Sequence, residues 1–114
     1  MATYDARLHV EAFENMESQR KTVYAVLATP EFRYMTSGDR LEFGSYGSIT
    51  IGMVRHYENL DALVAAEGWQ CLVPEAASAD EAMRLLRALD EWDPADEEKH
   101  GVLALRVREA RRKD

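Results

Sequence analysis

Hydrophobic and polar positions change period along this chain. Leu8 and Val10 alternate with Arg7, His9 and Glu11, which predicts a short strand over 7–11. Phe13 and Met16 stand three apart, the spacing of one or two helical turns before Lys21. Lys21 to Leu27 is β-branched and aromatic and reads as a strand. Thr29-Pro30 ends it, and the segment to Ser37 reads as a loop. A strand follows over 39–43, with Leu41 and Phe43 on one face and Arg40 and Glu42 on the other. The turn Gly44-Ser45-Tyr46-Gly47 leads into a longer strand over 48–57, where Ile49, Ile51 and Met53 alternate with Thr50 and Gly52. So short a turn predicts antiparallel pairing.

The period then becomes helical. Asn59 is placed to cap a helix whose apolar positions Leu60, Leu63 and Val64 share one face, and Gly68 stops it. Ser78-Ala79-Asp80-Glu81 is a capping-box pattern, followed by a stripe of Met83, Leu85, Leu86 and Leu89. Asp93-Pro94 predicts an N-cap and first-turn proline for a short acidic helix. Gly101 releases the chain into a last strand beginning Val102-Leu103-Ala104-Leu105. The order β-α-β-β-β-α-α-α-β implies an α+β domain. Its expected form is a small, mostly antiparallel five-stranded barrel with a helical insertion between the fourth and last strands.

Composition narrows the function classes. A chain of 114 residues supports one domain, with a core expected over about 7–108 and a basic tail over 109–114. Apolar residues make up 46 %, enough for a packed core. No apolar run has the length of a membrane span and no secretory signal is visible, so a cytoplasmic protein is expected. Cys71 is the single cysteine, and His9, His56 and His100 lack zinc-cluster spacing, so no metal or other cofactor is expected. The net charge of −7 argues against a uniformly basic nucleic-acid surface. Acid crowds residues 80–98, while Arg106, Arg108, Arg111, Arg112 and Lys113 make a basic end; both runs are expected to be solvated.

Several ordered pieces of the chain resemble the ASCH domain family, a branch of the PUA-like barrels. They are Arg20-Lys21-Thr22-Val23, Ser37-Gly38-Asp39-Arg40-Leu41-Glu42-Phe43, Arg55-His56-Tyr57-Glu58-Asn59-Leu60, Ala66-Glu67-Gly68, Leu72-Val73-Pro74, Ala79-Asp80-Glu81-Ala82 and Glu98-Lys99-His100-Gly101-Val102-Leu103-Ala104-Leu105. The resemblance implies a PUA-like barrel with a ligand cleft between barrel and helical insertion. It implies RNA or nucleotide binding. Some relatives are hydrolases, among them an amidohydrolase acting on an acylated cytidine and a metal-independent ribonuclease. Fold alone does not choose among these activities.

Lys21 is the leading candidate residue. An ammonium at the mouth of an apolar barrel neutralises a phosphate or polarises a carbonyl, and desolvation turns it toward a base. Glu67 is its expected acid–base partner across the cleft. Thr22, Tyr24, Arg55 and Tyr57 are the expected ligand-binding residues. Tyr24 departs from hydrolytic relatives, in which the position carries an aliphatic hydroxyl or an acid, and Val26 stands where they have an arginine. A phenol stacks or donates a hydrogen bond but substitutes poorly for a hydroxyl nucleophile. Trp69 and Trp92 are expected in core or lid positions. The expected function is therefore binding of RNA, a nucleoside or a nucleotide. The alternatives are a small metal-independent hydrolase of RNA or an acylated nucleoside, and a protein-interaction domain using acidic helices over 78–98.

Overall fold

The structure, a computed structural model, describes residues 1–113. Its elements are β1 (Thr3–Asp5), α1 (Val10–Glu17), β2 (Val23–Leu27), β3 (Arg40–Phe43), β4 (Gly47–Tyr57), α2 (Leu60–Glu67), α3 (Ala79–Arg87), α4 (Pro94–His100) and β5 (Val102–Arg112). The five strands form one curled, half-barrel sheet in the order β1-β3-β4-β5-β2. It is mixed: β1 runs parallel to β3, and the other three pairs are antiparallel. β1 and β2 are its two edges.

The sheet separates two apolar clusters. Its concave side packs Tyr24, Val26, Leu41, Phe43, Ile49, Ile51, Leu103 and Leu105 around Phe13 and Met16 of α1. The other side packs Val23, Leu27, Val102 and Ala104 against Leu60, Leu63, Leu72, Leu86 and Trp92 of the helical insertion. β5 starts between the two clusters. This is why Val102 to Leu105 is an unbroken apolar run, all four residues buried. Further along, beside solvent, the strand turns polar.

Three local expectations are corrected. The alternating segment 7–11 is not a strand: β1 lies earlier, and α1 already begins at Val10. Its period of two is short enough to be overridden by the helical spacing of Phe13 and Met16, which fill the barrel. Met53 does not continue the Ile49–Ile51 stripe. Register shifts on both sides of Ile51 re-aim β4, and Met53 is exposed. The expected solvated tail is strand as far as Arg112, because Ser48 and Gly47 pair with Arg111 and Arg112.

The helix caps follow the sequence. The Asn59 side chain accepts from the Ala62 N–H at 2.8 Å, and Ser78 Oγ accepts from the Glu81 N–H at 3.1 Å. The Glu81 carboxylate in turn accepts from the Ala77 N–H at 2.9 Å, and Asp93 accepts from the Ala95 N–H at 2.8 Å.

Candidate functional site

The loop after α1 sets the position of Lys21. Gln19 adopts a left-handed φ of 66°, and the Asn15 carbonyl then accepts from both the Arg20 and Lys21 N–H groups at 2.9 Å. Chain direction reverses within three residues, and Lys21 enters the protein just ahead of β2. The residue is 5 % exposed. The amine donates to the Leu72 carbonyl and lies 5.4 Å from the centre of the Tyr24 ring. Burial lowers the Lys21 pKa to about 8, with Glu75 and then Cys71 opposing the shift.

Lys21 lines a cavity of about 360 Å³ together with Tyr24, Ala25, Leu72, Glu75, Leu86 and Leu89. A second cavity of about 300 Å³ adjoins it across Tyr24, Ala25 and Leu89, and includes Phe32 and Trp92. The two form a two-lobed cleft between the β2 edge, the chain before α1, and the turns around α3 and α4. Tyr24 stands at the division. Its ring packs edge-on to Phe43, and burial, helped by the Glu91 carboxylate, pushes its phenol well above the ordinary range. The phenol is therefore a neutral donor rather than a base at any physiological pH.

The other expected site residues form a separate group. Glu67, Arg55 and Val23 border a cavity of about 60 Å³ with Arg106. The Tyr57 hydroxyl donates to Glu67, and that bond holds the phenol above its ordinary value. Arg55 lies 4.0 Å from the same carboxylate. Glu67 does not line the Lys21 cavity; Glu75 does. Cys71 lies between the two groups, with Sγ 3.2 Å from the Glu67 carbonyl oxygen and 3.1 Å from that of Gly68. Burial, then the Glu67 carboxylate, pushes its thiol up; Thr22 and Lys21 act the other way. Thr22 itself borders a third cavity with Lys21, Arg106 and Arg108.

Sequence reasoning passed over Glu75, Ala25 and His9 as site residues. Glu75 follows Pro74 in a loop without a periodic pattern, so nothing local marks it. His9 bonds Glu91 at 2.8 Å, a partner 82 positions away. Glu97 belongs to the acidic run expected to be solvated, yet it is buried. It accepts from the Leu60 N–H (2.9 Å), Arg87 Nε (3.1 Å) and Nη2 (2.8 Å), and Trp92 Nε1 (3.0 Å). Asp39, from the Gly-Asp pair, is likewise buried and clamps the Ala2 and Thr36 N–H groups. Among the described residues, no group of three or more His, Cys, Asp or Glu side chains is arranged to hold a metal ion. Among the described residues, no helix is long and apolar enough to cross a membrane.

Solved structures of other proteins share this fold. The crystal structure of the hypothetical protein PH0355 superposes with a TM-score of 0.86 at 23 % identity, covering 97 % of this chain and 100 % of that one. The solution NMR structure of protein PF0455 from Pyrococcus furiosus gives a TM-score of 0.76, also at 23 % identity, covering 96 % of this chain and 97 % of that one. At that identity the likeness establishes the fold alone. No protein-family model matches the chain, and no curated protein matches it.

Proposed function

We propose that this chain is an ASCH-type, PUA-like domain that binds RNA or a nucleotide in the cleft around Lys21. One observation carries the reading: a lysine 5 % exposed that lines a cavity of about 360 Å³, with its amine 5.4 Å from the centre of a tyrosine ring. A buried ammonium without a paired anion costs free energy, and an incoming phosphate removes that cost by charge-assisted hydrogen bonding. The cavity volume lies in the range of small-ligand sites. The neighbouring lobe supplies aromatic surface for a base.

Hydrolysis is the second reading, and the low Lys21 pKa favours it. At about 8, an appreciable fraction of the amine is neutral near pH 8 and able to take a proton. In this reading Glu75, which shares the cavity, is better placed than Glu67 to be the acidic partner.

A titration of ¹⁵N-labelled protein with the four nucleoside monophosphates and a short single-stranded RNA tests both. Binding should shift amides around Lys21, Tyr24 and Glu75, weaken with added salt, and be lost in Lys21→Ala. New product resonances appearing over time would add hydrolysis. Unmoved spectra with every ligand would refute the nucleotide reading.

A further inference from the structure

The helical insertion covers only part of its side of the sheet. Val102 and Ala104 of β5 are buried beneath it, but Arg106 and Arg108 further along the strand are exposed. Arg106 pairs with Val23 and Arg55 with Ala104, and both Val23 and Ala104 face the insertion. Residues paired across a sheet share a face, so both arginines stand on the open continuation of that side. Arg108 joins them where the β4–β5 register shifts at Ile51. A Cβ at Gly52 would lie 3.8 Å from the Cβ atoms of both Arg106 and Arg108, so the two arginines flank a bare glycine. Arg108 Nη2 donates to Ser37 Oγ at 2.8 Å. Tyr34, three residues before Ser37 in the chain, is exposed, with the Arg33 guanidinium 4.8 Å from its ring centre.

Arg106 borders two cavities on this face. One, of about 60 Å³, lies beside Met53, Arg55 and Glu67. The other, of about 360 Å³, lies beside Lys21, Thr22 and Arg108. Lys21 also lines the cleft, so cleft and groove meet at its side chain. Each carboxylate bordering these two cavities already has a cation. Glu67 has Arg55 at 4.0 Å, Glu17 has Arg112 at 2.5 Å, and Glu109 has Arg111 at 2.7 Å. Among the described residues, Lys21, Arg106 and Arg108 form no ion pair. A chain of net charge −7 therefore presents one locally cationic face.

We propose that the ligand is a single-stranded polynucleotide: one nucleotide enters the Lys21 cleft, and its neighbouring phosphates cross Arg106 and Arg108. This rests on the nucleotide reading above and names its ligand class. Guanidinium forks bind phosphate oxygens bidentately, and these two are unpaired and exposed. Strand residues two apart stand about 7 Å from each other, close to the step between successive phosphates of an extended strand. A duplex keeps its bases stacked and paired, out of reach of a cleft. An acidic peptide matches the arginines and is the competing occupant. It supplies no base for the cleft or for the exposed Tyr34 ring, on which a base can stack.

The test uses the same labelled protein with UMP, hexauridylate, hexathymidylate, a short RNA duplex and hexaglutamate. Hexauridylate should bind about tenfold or more tighter than UMP, as one added charge-assisted hydrogen bond predicts. Its log–log salt slope should be steeper by about 1.4, the release expected from two further phosphates of a single strand. The Gly52, Arg106 and Arg108 amides should shift with the oligomer and stay still with UMP. Hexathymidylate tells RNA from DNA, and tighter binding of either oligomer than of its mononucleotide upholds the inference. Arg106→Gln combined with Arg108→Gln should bring hexauridylate to about the affinity of UMP. Binding of UMP itself should be unchanged, because neither arginine lines the cleft. Gly52→Asp keeps every arginine and sets a carboxylate between two of them. It should have the same effect, and it decides the matter if the double variant fails to fold. Equal affinity and salt slope for UMP and hexauridylate would overturn this inference and leave the nucleotide reading standing. So would a duplex or hexaglutamate binding the arginine face as tightly as hexauridylate. Absence of any response around Lys21 to every nucleotide would remove both readings.

Discussion

Lys21 shows how one residue couples site and stability. Its pKa falls from 10.5 to about 8 because burial disfavours the ammonium. Between those values the unfolded chain holds the extra proton, so stability rises as pH goes from about 8 to 10.5. Below pH 8 the whole cost is present, about 3 kcal/mol for a shift of this size. Lys21→Met keeps most of the volume and removes the charge, at the cost of leaving the Leu72 carbonyl without its donor. We expect it to be more stable at pH 7 by about 1–2 kcal/mol and to lose that advantage above pH 10.5. Urea unfolding of both proteins at pH 7 and 10.5 measures this. A constant difference across that range would mean that Lys21 is solvated. The residue type and its neighbours in sequence pointed to Lys21. They could not show Glu75 beside it, since that contact is made by a loop 54 positions later.

At the scale of elements, the helical insertion is held by one carboxylate. Glu97 on α4 joins the start of α2 through the Leu60 N–H, the last turn of α3 through Arg87, and the turn between α3 and α4 through Trp92. The Arg87 hydrogen bonds, then those of Leu60 and Trp92, outweigh burial and bring its pKa from 4.5 down to about 2. A lowered acid pKa stabilises above the unfolded value. That contribution should therefore be complete above pH 4.5 and disappear as pH falls to about 2. Glu97→Ala takes the acceptor from four N–H donors on three residues and should cost about 3 kcal/mol at pH 7. Its acid unfolding curve between pH 4.5 and 2 should be flatter than that of the parent. Calorimetry across this range checks both; a loss under about 0.5 kcal/mol would place Glu97 with ordinary surface acids. The caps of these helices were legible because each is a contact over two or three residues. Glu97 was not, since its partners lie 5 to 37 positions away.

The whole molecule depends on β5, which closes the sheet between β4 and β2. Gly101 admits it. The residue has φ +79°, and a Cβ there would lie 2.5 Å from the Tyr57 carbonyl oxygen. Gly101→Ala should therefore cost more than about 2 kcal/mol through left-handed strain and the displaced β4 backbone. Denaturant unfolding followed by tryptophan fluorescence measures this. Unchanged stability would show that β4 and β5 separate at this end without cost. The same strand explains the basic end of the chain: Arg112 pairs with Gly47 and reaches Glu17 on α1 at 2.5 Å, so these charges pack along an ordered strand.

The sequence by itself determined the α+β class, the element order from α1 onward, the three helix caps and the apolar run that opens β5. Each of these follows from period, capping chemistry or a run of apolar side chains, and such signals act over a few residues. Tertiary structure alone decided the rest. It placed β1 parallel to β3, shifted the register of β4 at Ile51, and separated Glu67 from the Lys21 cavity. It also left the Ala25 edge facing a cleft. Strand order and register are set by which distant apolar faces bury one another, and a cavity is what remains between them. No window of neighbouring residues contains that information.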